Sequence, residues 1–303
     1  MKPRKGFFKK YFILQVLIVA IFVIAGFTEL KAGEEFQVNT YISLDQERPA
    51  VAMDKKGNFV ITWQSDGQDG SESGIFAQRF DKEGLAIGPE FQVNTHTESD
   101  QSCPAVAMDK KGKFVITWQS WDQLESGLDI FAQKFDKEGL AIGPEFQVNT
   151  YTESAQYQSA IAMDRKGNFV ITWESYDQDS SDSDGIYAQR FKKNGKAGGS
   201  EFQVNTYINL DQGCPAVAMD RKGNFVITWE SYNQDGSGDG IYAQRFKKNG
   251  KSIGSEFQVN TYINLDQECP AVATDEKGNF VITWTSDGQD GDGWGIFARM
   301  FKK

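Results

Sequence analysis

Short apolar runs alternate with polar, glycine-bearing turns along nearly the whole chain, at a pitch too fine for helices. In the first unit the runs fall at residues 50–54, 59–65, 75–80 and 91–94. They are rich in Val, Ile, Phe and Trp and bounded by Gly, Asp, Asn and Ser, which predicts four short β-strands. Between the first two sits Asp54-Lys55-Lys56-Gly57-Asn58, a tight hairpin turn in which Gly supplies a positive φ. No segment beyond the N-terminal region holds a helical period over a useful length, so helix is expected to be nearly absent there.

The four-run unit recurs. The string EFQVNT places Phe at 36, 91, 146, 202 and 257, and each copy continues through an AVAMD-like run, FVITW, and GIFAQRF or a close variant. The extra residue of the third copy falls in the loop between Ser175 and Ile186, where a structural unit tolerates it. Four-stranded units repeated at this length predict propeller blades. The fold expected is therefore all-β, a five-bladed β-propeller of four-stranded antiparallel blades. The lone EFQVNT run at Phe36 would supply the fourth strand of the last blade and close the ring, hiding its edges. Paired alanines such as Ala105 and Ala107 suit inner strands crowded near an axis. Trp63, Trp118, Trp173, Trp229 and Trp284 read as wedges between blades. An open β-solenoid is the rival architecture, and it leaves the run at Phe36 unexplained.

The DKKGNFVITW-type hairpins resemble the D-x-x-G-N-hydrophobic hairpins of bacterial extracellular β-propeller repeat proteins, including NHL-like families, over all five units from Glu35 to Phe301. The five-fold count is similar to the tachylectin-2 type of propeller lectin and to five-bladed furanosidases. What the first of these implies is sugar binding at several equivalent sites; no sugar-contact motif transfers residue by residue.

The N-terminus changes the setting. A basic start with Lys2, Arg4, Lys5, Lys9 and Lys10 precedes the uncharged run at residues 11–27, which reads as an export signal over residues 1–32. An uncleaved membrane anchor is the alternative. In both cases residues 33–303 form one propeller outside the cytoplasm: periplasmic, secreted or at the cell surface. Removing residues 1–32 leaves 26 bases, 41 acids and a net charge of −15. That balance excludes nucleic acid as a partner and leaves membrane contact only through residues 11–27. Three cysteines, Cys103, Cys214 and Cys269, cannot all pair within one chain, and their places on different blades suggest separations too large for pairing.

The connectors divide by charge. One face is expected to collect Lys55, Lys56, Lys110, Lys111, Arg165, Lys166, Arg221 and Lys222; the other collects the acidic loops. No full EF-hand pattern occurs, no cofactor is certain, and calcium is the one these loops suggest, with Asp182, Asp184, Asp290 and Asp292 as ligands. The acidic face also repeats groups suited to a sugar ring. They are Gln46, Gln101, Gln156, Gln212 and Gln267 before the first strand, and Gln68, Gln123, Gln178, Gln234 and Gln289 after the second. Beside them stand the aromatics Trp121, Tyr176, Tyr232 and Trp294. The glutamines equally suit tying loops to neighbouring backbone. No G-x-S-x-G, H-E-x-x-H, P-loop or G-x-G-x-x-G motif occurs, and no asymmetric acid–base constellation stands out. The functional expectation is a non-enzymatic, lectin-like binding or surface-scaffold protein whose partner is an extracellular glycan or cell-surface polymer. The alternatives are a furanosidase-like glycoside hydrolase and a purely structural envelope protein.

Overall fold

A computed structural model describes residues 33–123, 127–179 and 181–303. The expected export segment, residues 1–32, lies outside the described residues. The chain divides into two units, Met1–Gln37 and Val38–Lys303, and the second holds every strand.

Five antiparallel sheets follow one another in chain order. The first comprises β1 (Gln46–Met53), β2 (Phe59–Asp66), β3 (Ser73–Phe80) and β4 (Phe91–Gln92). The second comprises β5 (Gln101–Met108), β6 (Phe114–Trp121), β7 (Leu128–Phe135) and β8 (Phe146–Gln147). β9 (Gln156–Met163), β10 (Phe169–Tyr176), β11 (Asp184–Phe191) and β12 (Phe202–Gln203) form the third. The fourth holds β13 (Gln212–Met219), β14 (Phe225–Tyr232), β15 (Asp239–Phe246) and β16 (Phe257–Gln258). The fifth has three strands, β17 (Gln267–Thr274), β18 (Phe280–Asp287) and β19 (Trp294–Phe301). This is the five-bladed β-propeller the repeat predicts.

Local chemistry explains each blade. The Asp54 carboxylate accepts from the backbone N–H groups of Lys56 at 2.7 Å and Asn58 at 3.0 Å, and Gly57 takes φ 90°, so the turn is held by its own side chain. Phe59 stacks on Phe80 with centroids 5.0 Å apart. The fourth strands are shorter than their apolar runs because asparagine finishes the ladder: Ile75 N–H donates to Asn94 Oδ1 at 2.8 Å. The same bond recurs at Asn149, Asn205 and Asn260.

Blades join through apolar cores. One blade offers Val60, Ile75, Ala77 and Val93, and the next answers with Phe114, Ile116, Trp118, Phe131 and Phe135. Equivalent cores join the second blade to the third, the third to the fourth and the fourth to the fifth. The five repeated tryptophans are buried, and Trp118, Trp173, Trp229 and Trp284 lie at these faces, as wedges should. The outer edge of β19 differs. Ile296 is 76% exposed, where its counterparts Ile75, Ile130, Ile186 and Ile241 are 0% exposed. No strand is assigned at residues 33–39, so the closing strand expected at Phe36 does not form one there.

The inner strands begin four residues earlier than their apolar runs predict. The register shifts between Glu47 and Ala50, and at the matching points of β5, β13 and β17, mark a bulge in each of these strands. At the bulges Arg48, Cys103, Gln158, Cys214 and Cys269 take φ between 49° and 52°. A left-handed backbone costs a non-glycine residue about 1–2 kcal/mol, and here it turns these five positions to a common axial opening. At the opposite end a cavity of about 720 Å³ is lined by Lys110, Lys111, Lys134, Arg165, Lys166 and Lys193 among others, in keeping with a basic face. There Glu276, standing where the other hairpins carry a base, pairs with both Arg165 and Arg221.

Candidate functional site

The axial opening on the acidic side encloses about 390 Å³ and is lined by Arg48, Cys103, Gln158, Cys214 and Cys269 with the residue after each. What lies beneath it follows from the strained bulges. Four of the bulged N–H groups, those of Cys103, Gln158, Cys214 and Cys269, find an acceptor on the preceding blade. Cys103 N–H donates to Gln64 Oε1 at 3.2 Å, and Gln158 N–H to Gln119 Oε1 at 3.1 Å. In the next two blades the acceptor is a carboxylate: Cys214 N–H donates to Glu174 Oε1 at 2.7 Å, and Cys269 N–H to Glu230 Oε2 at 2.9 Å. The fifth blade has Thr285, whose hydroxyl instead donates to the Glu268 carbonyl at 3.1 Å. Five equivalent positions thus carry Gln, Gln, Glu, Glu and Thr.

A second departure from the repeat opens the space between the two carboxylates. The position before the bulge is Glu47, Ser102, Tyr157 and Glu268 in four blades and Gly213 in the other. A Cβ on Gly213 would lie 3.4 Å from Glu230 Oε1 and 3.6 Å from Glu174 Oε1. The two oxygens are therefore at most about 7 Å apart, with only the glycine backbone beside them.

Their environments differ. Glu174 is buried, and that burial, reinforced by Asp184, Glu230 and Asp211, pushes its carboxyl up to about 8 against the pull of the Cys214 N–H. It therefore carries a proton at neutral pH. Glu230 is less deeply placed. Around them, burial and then Glu230 and Asp266 push Asp239 up to about 6. Burial and Asp211 raise Asp184, although the Tyr157 hydroxyl bonded to it works the other way. A protonated carboxyl set close to a second one, in unequal surroundings, is the arrangement that acid–base cleavage needs.

The structure uses the first set of repeated glutamines internally. Gln46, Gln101, Gln212 and Gln267 accept from Asn39, Asn94, Asn205 and Asn260, and Gln156 accepts from Trp173 Nε1 at 2.9 Å. Their amide N–H groups go to nearby carbonyls. Gln68, Gln123, Gln178 and Gln234 donate to Glu90, Glu145, Glu201 and Glu256, and the Gln289 carbonyl oxygen is buried. The glutamines that make these bonds brace loops. Trp121, Tyr176, Tyr232 and Trp294, by contrast, are 39% to 54% exposed on the rim. Asp182 and Asp184 sit in the third blade, where Asp182 accepts from the Tyr176 hydroxyl at 2.5 Å, while Asp290 and Asp292 belong to the loop before β19. Among the described residues, the group of three metal-capable side chains that converges is a different one: Cys214, Glu230 and Cys269, whose ligand atoms lie within 4.8 Å of one another. The expectation that the cysteines stand too far apart to meet is corrected for this pair. Inner strands of adjacent blades run close to the axis, and the bulge turns both sulfurs toward it.

No family model matches the chain, and no curated protein matches it. Solved structures do share its fold. The α-L-arabinofuranosidase of Fusarium graminearum with arabinobiose superposes at a TM-score of 0.56, with 12% identity over 83% of this chain and 80% of that one. The α-L-arabinanase of Penicillium chrysogenum complexed with arabinobiose gives 0.53, with 14% identity over 85% and 82%. The expectation of a non-enzymatic binding or scaffold protein is corrected here. The two structures named are an α-L-arabinofuranosidase and an α-L-arabinanase, and beneath the axial opening the carboxyls of Glu174 and Glu230 stand in unequal surroundings.

Proposed function

We propose that the chain is a glycoside hydrolase that cleaves an arabinose-containing or similar furanose polymer at the axial opening. The observation that carries the reading is the unequal carboxyl pair, buried Glu174 and Glu230, flanking the side-chain-free Gly213. The activities of the arabinanase and arabinofuranosidase that share the fold suggest the substrate class.

Each residue has a role in this scheme. Glu174 enters protonated and gives its proton to the departing sugar oxygen. Glu230, across the slot, is the carboxylate that activates water or attacks the anomeric carbon. The exposed Trp121, Tyr176, Tyr232 and Trp294 offer flat apolar platforms for sugar rings arriving along the rim. Export, through residues 1–32, would bring the enzyme to such a polymer.

The test is reducing-sugar release from debranched arabinan, linear fructan and xylan by the full chain, with Glu174→Gln and Glu230→Gln in parallel. Arabinan cleavage that falls at least about 100-fold in each variant is expected. Equal cleavage by the parent and both variants would place the chemistry elsewhere. No release from any of the three polymers would remove the hydrolase reading.

A further inference from the structure

We infer that Cys214 and Cys269 form a disulfide that ties the fourth blade to the fifth across the axial opening. The two sulfurs lie within 4.8 Å of each other, at the same bulge position of adjacent inner strands, and both residues line the opening. A change of χ1 rotamer moves a sulfur by about 3 Å, as large as the gap left between the two sulfurs and a bond. Cys269 is exposed and Cys214 partly so, which gives a small disulfide access to the pair. Cys103 occupies the same position in the second blade and stands outside this group.

A separate observation says why the tie falls here. The fifth blade is the least supported of the five. Its sheet has three strands, Ile296 on its last strand is exposed, and Thr285 replaces the Gln or Glu that accepts the next bulged N–H elsewhere. A covalent link from its inner strand to β13 holds it at the fourth blade, with which it shares an apolar core. Export would take the pair to a compartment in which disulfides persist.

The chemistry is thiol–disulfide exchange with a small-molecule disulfide. The more exposed Cys269 thiolate attacks one sulfur of the reagent and expels the first small thiol. Cys214 then attacks Cys269 of the mixed disulfide and expels the second. One reagent disulfide is reduced to two thiols as two protein thiols are oxidised to one bond. Burial and then Glu230 hold both thiols above their ordinary range, so the exchange is best run in mildly alkaline buffer.

The inference stands apart from the hydrolytic reading, and its test needs no activity. The full chain is incubated with oxidised glutathione at about pH 8.5 and examined by intact mass and non-reducing peptide mapping. The expected result is a loss of about 2 Da, one linked peptide pair containing Cys214 and Cys269, and Cys103 still open to alkylation. Tm should rise and return to its starting value with dithiothreitol. Cys214→Ser and Cys269→Ser should each carry a glutathione adduct instead. Linkage through Cys103, or separate adducts on Cys214 and Cys269 in the parent chain, would overturn the assignment.

Discussion

Replacing Glu174 by glutamine should make the protein more stable, and increasingly so as pH rises. The substitution preserves shape and keeps the acceptor for Cys214 N–H; the chain already uses glutamine in that role at Gln64 and Gln119. What it removes is a proton-dependent penalty. The Glu174 carboxyl moves from a usual 4.5 to about 8 on folding. A carboxyl raised in the folded state binds its proton more tightly there than in the unfolded chain. Its favourable contribution is therefore complete below pH 4.5 and is lost as pH climbs to 8. At 1.36 kcal/mol per pH unit, the parent forfeits about 3 kcal/mol by pH 7 and about 5 kcal/mol above pH 8. Glutamine forfeits none of it. At roughly 2 °C per kcal/mol for a domain of this size, Glu174→Gln should melt about 6 °C above the parent at pH 7 and about equal to it near pH 4. Denaturant melts of both proteins from pH 4 to 9 check this. Parallel pH profiles, with a constant gap or none, would mean that Glu174 is not the buried proton carrier, and the catalytic assignment would fall with it.

Three further outcomes follow from the same geometry. Arabinan cleavage should decline as pH rises through about 8, because a proton donor must hold its proton, and pH–rate profiles should show that alkaline limb. Gly213→Tyr, which copies Tyr157 of the preceding blade, should fill the slot between Glu174 and Glu230 and cut cleavage at least about 100-fold with a near-parental Tm; Gly213→Ala should be mild, since its Cβ meets only ordinary contacts. Trp229→Ala should cost about 3–5 kcal/mol in denaturant melts, because this fully buried ring fills the core between the third and fourth blades.

The fold was legible because repetition multiplies weak local signals. A single FVITW run does not distinguish a strand from a short buried helix, but five copies, each followed by a glycine hairpin and a GIFAQRF-like partner, do. The inner-strand start was harder to see. Gln46-Glu47-Arg48-Pro49 carries a polar run and a proline, features that argue against a strand; the structure accommodates them in a bulge whose unusual backbone places Arg48 at the axis. Order along the chain says that the run at Phe36 is left over, but not whether it forms a ladder.

The site was hidden by the same regularity that revealed the fold. Residues repeated in every blade serve the blade itself, as the loop-bracing bonds of Gln68, Gln123, Gln178 and Gln234 show. In a symmetric scaffold, chemistry that needs an acid and a base in different states must reside where the repeats disagree. Gln64, Gln119, Glu174, Glu230 and Thr285 already form such a series in the sequence, as do Glu47, Ser102, Tyr157, Gly213 and Glu268. Read column by column, those two series mark the third and fourth blades without any coordinates. What they could not supply is depth. That Glu174 is buried while Glu230 is less so depends on how Gly213 and the bulges of neighbouring blades meet at the axis. That burial raises the Glu174 carboxyl, and it arises only when the blades pack.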